Sequence, residues 1–347
     1  MWQIDNRTPF ASAQSWVRNR EGAETWLVAV KATFGIHPDG SVHVSAEQPP
    51  VLRSPEYWGE PGKSSLRYEA DLILTKTTTD IVLNGHAYAP GGQPVSELDV
   101  GFRVGPVTKL LRVVGDRKWT SLGPSKPDLF TKMPLIYERA FGGVDIRAEN
   151  PERHWEWRNP VGVGFATGRH GLVGRALHNV EAHDKPIGYG RPSPGGFGPI
   201  ASHWQPRASF AGTYDETWLR TRQPLLPHDF DDRFFQCAPS DQQAPDFLHG
   251  GEPVILRNMT LNADLRFLLP ELSFVFETRF VGGDRCLNPS PRLHTVILEP
   301  DFPRVSLVWH SAMECHAKAY ELENTKISMR RSGTADDDMV EDLLDLT

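Results

Sequence analysis

The sequence predicts a mainly β protein, with antiparallel, sandwich-like sheets near both ends, a long ordered loop-rich centre and few short helices. Three observations predict it. Glycine and proline number 30 and 29 in 347 residues, a density that breaks helices and favours strands, turns and loops. Several segments alternate apolar and polar residues with period two, the pattern of a strand with unlike faces. Between them, over roughly residues 120–250, periodicity fades into a stretch dense in Pro, Gly, Trp and Arg.

The elements follow in order. In Glu24–Ile36, Trp26, Val28, Val30, Ala32 and Phe34 alternate with smaller or polar residues, which predicts a half-buried strand. His37-Pro38-Asp39-Gly40 is a turn sequence, and Ser41–Ala46 returns, so residues 24–46 read as a hairpin. Tyr68–Leu74 and Asp80–Tyr88 are the next two strands, joined by a Thr-rich connection. Leu98–Val104 and Val107–Val114 pair across Gly105-Pro106.

A structureless loop as long as the centre is improbable in a compact domain. Its aromatics are therefore expected to pack it into an ordered layer, with helical turns near Asp215–Arg220 and Asp229–Phe235. Strands resume at Glu252–Met259, Leu272–Val281, Thr295–Leu298, Val305–His310 and Glu314–Leu322. Residues 1–323 read as one domain: β-rich over 1–120, loop-rich over 121–250, β-rich over 251–323. Residues 324–347 read as a polar, then acidic, tail. Within it Met339, Val340, Leu343 and Leu344 are spaced as the apolar stripe of a short helix, a docking element or a frayed end.

Composition narrows the function. The formal net charge of −7 argues against nucleic acid, which needs a basic face. No run of about 18 apolar residues predicts a membrane helix, and Met-Trp-Gln-Ile-Asp-Asn-Arg is not a secretory leader. Cys237, Cys286 and Cys315 are odd in number and widely spaced, which fits reduced thiols in the cytoplasm.

No catalytic or cofactor signature stands out. His310, Cys315, His316 and Cys286 are zinc-type ligands, but adjacent residues of a strand face opposite ways and no paired ligand spacing accompanies them. Gly162-Val163-Gly164 and Gly188-Tyr189-Gly190 lack the strand–helix setting and the Gly-Lys-Ser/Thr of a phosphate loop. There is no Gly-x-Ser-x-Gly elbow, and Cys237-Ala-Pro suggests a turn. The Asp229, Asp231 and Asp232 cluster admits a glycan- or cell-wall-acting hydrolase, if Asp229-Phe230-Asp231 puts two carboxylates on one face of a strand. The alternative is a helix start, or partners for Arg207, Arg222 and Arg233.

An ordered series of motifs carries a resemblance. It includes Asn6-Arg7-Thr8-Pro9-Phe10, Val30-Lys31-Ala32-Thr33-Phe34, Gly115-Asp116-Arg117-Lys118-Trp119 and Met133-Pro134-Leu135-Ile136-Tyr137-Glu138-Arg139-Ala140-Phe141-Gly142-Gly143. It continues through Arg158-Asn159-Pro160-Val161-Gly162-Val163-Gly164-Phe165, Gly196-Phe197-Gly198-Pro199-Ile200, Trp204-Gln205-Pro206-Arg207, Ala211-Gly212-Thr213-Tyr214-Asp215, Pro224–Asp231 and Ala238-Pro239-Ser240-Asp241-Gln242. From about residue 5 to residue 310 the chain resembles the bacterial domain of unknown function family 2169, which is associated with type VI secretion.

The resemblance implies a non-enzymatic cytoplasmic adaptor or chaperone. It would bind a secreted effector and help load it onto the VgrG spike with its PAAR-type tip, without cofactor or metal. A structural component of the secretion machine, released with the toxin, is the other role it admits. Residue type and location nominate Trp155, Trp157, Arg158, Trp204, Arg207, Tyr214 and Trp218 for partner contact where they are exposed, since Trp, Tyr and Arg anchor interfaces.

Overall fold

The longest strand, Glu24–Ile36, is the spine of the fold. The computed structural model describes residues 2–150, 154–168, 172–183, 187, 192–261, 264–288 and 291–330. In it the spine lies between Ala11–Arg18 and Arg304–Glu314, followed outward by Arg292–Glu299 and Asp80–Leu83; Val42–Val44 completes six strands. Pairing is antiparallel, except that Asp80–Leu83 runs parallel to Arg292–Glu299. The 24–46 hairpin is present, with Phe34 opposite Val44.

One face of this sheet carries Val28, Val30, Ala32 and Phe34 beside Leu307, Trp309, Val296, Leu298 and Ile81, all in the core. The other face is also buried and mixes Leu27, Ala29, Val308 and Ile297 with polar groups, so the half-buried expectation needs correction. Lys31 Nζ meets Asp71 Oδ2 at 3.0 Å. The Thr33 and Ser306 hydroxyls lie 2.8 Å apart. Lys76 Nζ meets Asp80 Oδ2 at 2.5 Å and donates to Thr295 Oγ1 at 2.9 Å. Asp71 and Lys76 belong to the connection leading into Asp80–Leu83, which covers this face. Paired, hydrogen-bonded charges are what burial there demands.

A five-stranded sheet has the order Val180–Ala182, Val107–Val114, Glu97–Val104, Pro253–Arg257, Leu265–Leu268. A four-stranded sheet has the order Gln3–Asn6, Leu322–Met329, Phe274–Phe280, Arg285–Asn288. The three sheets share a continuous apolar core. Phe274 packs edge-on against Trp309, with ring centroids 5.1 Å apart. The Trp26 indole donates to Thr325 Oγ1 at 2.9 Å. The mainly β, sandwich-like class is the one observed, with short helices only.

Several boundaries differ from expectation. The strand expected over 68–74 is only Leu66–Tyr68. The one expected over 80–88 breaks at Asn84-Gly85, and His86–Tyr88 pairs with Lys132–Pro134 instead. The chain passes close to Pro300 at Gly85: a Cβ there would sit 2.8 Å from it. The strand expected over 314–322 is a turn ending in the 3₁₀ helix Ala319–Glu321, with positive φ at His316 and Ala317. The tail expected from residue 324 begins later, because 324–329 lie inside the strand Leu322–Met329. The helix expected near 339–344 lies outside the described residues. No helix among the described residues is long and apolar enough to cross a membrane.

Candidate functional site

The loop layer is organised by one asparagine. Buried Asn159 donates from Nδ2 to the Tyr137 and Phe141 carbonyls, at 2.8 and 3.1 Å, and its own carbonyl accepts the Gly143 N–H at 2.9 Å. This brings Phe141–Gly142 alongside Val163–Gly164 as a parallel pair. Gly143 sits at φ 96°, and a Cβ there would lie 2.3 Å from the Gly162 carbonyl oxygen. Only glycine tolerates both conditions. Two motifs distant in sequence, 133–143 and 158–165, thus interlock.

Two buried carboxylates fix the surrounding turns. Asp145 accepts from the Thr167 N–H and hydroxyl, both at 2.9 Å, and from Arg175 Nη2 at 2.8 Å. These donors, the Thr167 N–H foremost, hold its carboxyl well below the usual carboxylate range. Glu156 accepts a two-pronged contact from Arg158 at 2.8 and 2.9 Å, and Arg158 also reaches the Pro192 carbonyl at 3.0 Å.

Over this frame opens a cleft of about 1290 Å³ whose walls include Trp119, Phe141, Trp155, Trp157, Phe165 and Val173. The Trp155 and Trp157 rings meet edge to face, with centroids 4.6 Å apart. Trp157 is 49% exposed and Val173 67%. His178 closes the floor against Phe141, ring centroids 5.5 Å apart. Burial, helped by the Arg117 cation, pushes His178 down to about 3, so it is neutral at pH 7 and a weak base. The lining is rich in rings and methyl groups, and Arg175 and Arg158 engage the two carboxylates behind it. Such a surface suits the apolar side chains of a partner chain.

The nominated residues divide three ways. Trp155 and Trp157 line the cleft, and Arg158 braces it through Glu156. Tyr214, 52% exposed, packs on Trp218 at 4.7 Å beside the helix Glu216–Thr221, a separate surface. Trp204 and Arg207 are buried and present nothing to a partner. Trp204 packs edge-on to Tyr137 at 5.5 Å. Arg207 pairs with Glu69 and donates to the Phe234 and Ile200 carbonyls at 2.7 and 2.8 Å. Trp119 and Phe165 were legible only as motif members, and Val173 was not singled out.

The Asp229–Asp232 cluster is not on a strand. Asp229 accepts from the Thr213 N–H and hydroxyl at 2.9 and 2.7 Å. Asp231 caps the 3₁₀ helix Asp232–Phe235 and pairs with Arg233 at 2.5 Å. Of the three arginines considered as partners for the cluster, only Arg233 meets it in this way. None of the three carboxylates lines the aromatic cleft. Cys237 is buried, 3.7 Å from Lys76 Nζ, and burial pushes its thiol up to about 12. No three His, Cys, Asp or Glu side chains among the described residues converge as metal ligands.

The family model described as an uncharacterized protein conserved in bacteria, the domain of unknown function family 2169, matches residues 21–310. The chain belongs to this family. No curated protein and no solved structure matches it. The family 2169 segment contains the whole aromatic cleft. The strands Gln3–Asn6 and Leu322–Met329 fall outside it, yet pair with each other in parallel and complete the four-stranded sheet.

Proposed function

We propose that this family 2169 protein is a non-enzymatic cytoplasmic adaptor of type VI secretion. It binds an effector and helps mount it on the VgrG spike and its PAAR-type tip. The observation that carries the binding role is the cleft itself: Trp155 and Trp157 stand edge to face on an open surface, on a frame that lies within the residues the family model matches. A cleft of about 1290 Å³ exceeds the usual 300–1,000 Å³ of small-ligand pockets and has the size and chemistry for side chains of a protein segment. Exposed apolar surface of this kind marks interaction sites in soluble proteins. The link to secretion rests on the motif resemblance.

The test is affinity capture of the tagged chain from the cytoplasm of its own host, with Trp157→Ala run in parallel. Recovery of a toxin-like protein together with VgrG or a PAAR protein, lost or sharply reduced with Trp157→Ala, supports the reading. Recovery of neither, while the secretion system is expressed, overturns the role. Equal recovery with the variant keeps the role but removes the cleft from it.

A further inference from the structure

A second cleft, of about 1140 Å³, opens where the described chain ends. The half-buried Phe247 and Leu272 are its apolar walls, backed from beneath by the buried side chains of Phe274, Leu293 and Trp309. The last pair of the four-stranded sheet puts Met329 opposite Phe274, and the Arg330 N–H donates to the Ser273 carbonyl at 2.7 Å. Both Ser273 and Arg330 line the cleft. The described chain therefore ends at its rim.

Seventeen residues follow. They hold six acids and one arginine, five of the chain's seven net negative charges, and the apolar residues Met339, Val340, Leu343, Leu344 and Leu346. The rim carries Arg292, whose guanidinium lies 4.9 Å over the Phe247 ring, and Arg330. Neither has a carboxylate partner among the described residues, although Asp246 and Glu271 share the rim with His249. A segment tethered at the rim acts at an effective concentration on the order of millimolar, before any partner arrives.

We propose that this cleft is the docking place of the chain's own C-terminal segment, residues 334–347. Its apolar side chains meet Phe247 and Leu272, and its acids meet Arg292 and Arg330. The cleft is distinct from the aromatic one and stands independently of the adaptor reading. A partner that reads the tail or this cleft must first displace the tail.

Hydrogen exchange on the full chain tests this. Residues 246–250 and 271–274 are followed in the unaltered protein, in Leu343→Asp/Leu344→Asp, and in Arg292→Glu/Arg330→Glu, with the strand Glu97–Val104 as an internal reference. Both double variants are expected to exchange about tenfold faster at the cleft, with the reference strand unchanged. Equal exchange in the unaltered protein and the leucine variant overturns the proposal. So does protection that fades on dilution, which would make a second copy the occupant. Protection that appears only when a partner protein is added overturns it as well.

Discussion

The rings of His294 and His310 stack with centroids 4.2 Å apart in the protein interior. Burial, with the nearby Lys76 charge, pushes His310 down to about 3, and burial with the His310 charge lowers His294 well below its ordinary value. Arg292 and Lys76 add further repulsion to a proton on His294. Both are neutral in the folded state, as is His178 at about 3.

Acid is therefore expected to unfold the protein early. The unfolded chain takes up these protons below about pH 6.5; the folded chain takes up those of His178 and His310 only near pH 3, and that of His294 well below its ordinary range. Stability is complete above pH 6.5 and is lost as pH falls through that window, by about 1.4 kcal/mol per pH unit for each histidine. Asp145 behaves differently. Its depressed carboxyl stabilises the fold above its unfolded value near 4, and that contribution is lost only below it. Urea midpoints measured from pH 7 to pH 5 should fall steeply. A midpoint at pH 5 equal to that at pH 7 would refute neutral burial of the three rings.

Lys76 and Asp80 form a second buried device. Burial pulls the Lys76 ammonium down, but Asp80 outweighs it and holds the group above its ordinary value. Asp80 also accepts from Gln236 Nε2 at 2.9 Å and from the Cys237 N–H at 2.7 Å. Lys76→Met leaves the carboxylate without its cation and should cost about 3–5 kcal/mol. Adding Asp80→Asn removes the stranded charge while keeping an acceptor. The double variant should then recover at least about 1 kcal/mol in urea unfolding. No recovery would mean the pair is not coupled.

The strands Leu98–Val104 and Val107–Val114, and the hairpin over 24–46, were legible because their core faces alternate cleanly. The second face of Glu24–Ile36, which mixes Leu27 and Ala29 with Lys31 and Thr33, was misread as solvent-facing. Lys31 and Thr33 look like surface residues unless Asp71 and Ser306 are known to meet them. Leu322–Met329 was hidden for a similar reason. It reads LENTKISM, and its buried Thr325 is satisfied by Trp26 and Thr278 from distant strands. In the cleft, residue type pointed to Trp155 and Trp157. The pairing of 141–142 with 163–164 was not legible, since it is set by one side chain bonding to carbonyls about twenty residues away. The same blindness to burial placed Trp204 and Arg207 among contact candidates.

Asn159 should therefore control the loop layer without controlling the sheets. Asn159→Ala takes this donor from the buried Phe141 carbonyl and leaves the Tyr137 carbonyl with the Ala140 N–H alone, at about 1–3 kcal/mol. Hydrogen exchange should rise over 141–165 while Glu97–Val104 stays protected. If exchange rises equally in the sheet, the layer is not a separate unit held by this residue.

The contrast between Trp157 and Trp204 gives a clean separation of binding from folding. Trp204 is 1% exposed, and Trp204→Ala opens a large cavity against Tyr137, costing about 3–5 kcal/mol. Trp157 is half-exposed and its backbone carbonyl, not its ring, holds the Gln205 N–H at 2.9 Å. Truncating that ring should change stability by no more than about 1 kcal/mol. Partner capture should follow the opposite order. Trp157→Ala should weaken it at least about tenfold, as loss of an exposed aromatic anchor does. Trp204→Ala should act only in proportion to the protein it unfolds. Thermal melts and quantitative capture on the same two preparations decide the matter. A Trp157→Ala protein that melts normally and captures its partner normally removes the aromatic cleft as the docking surface.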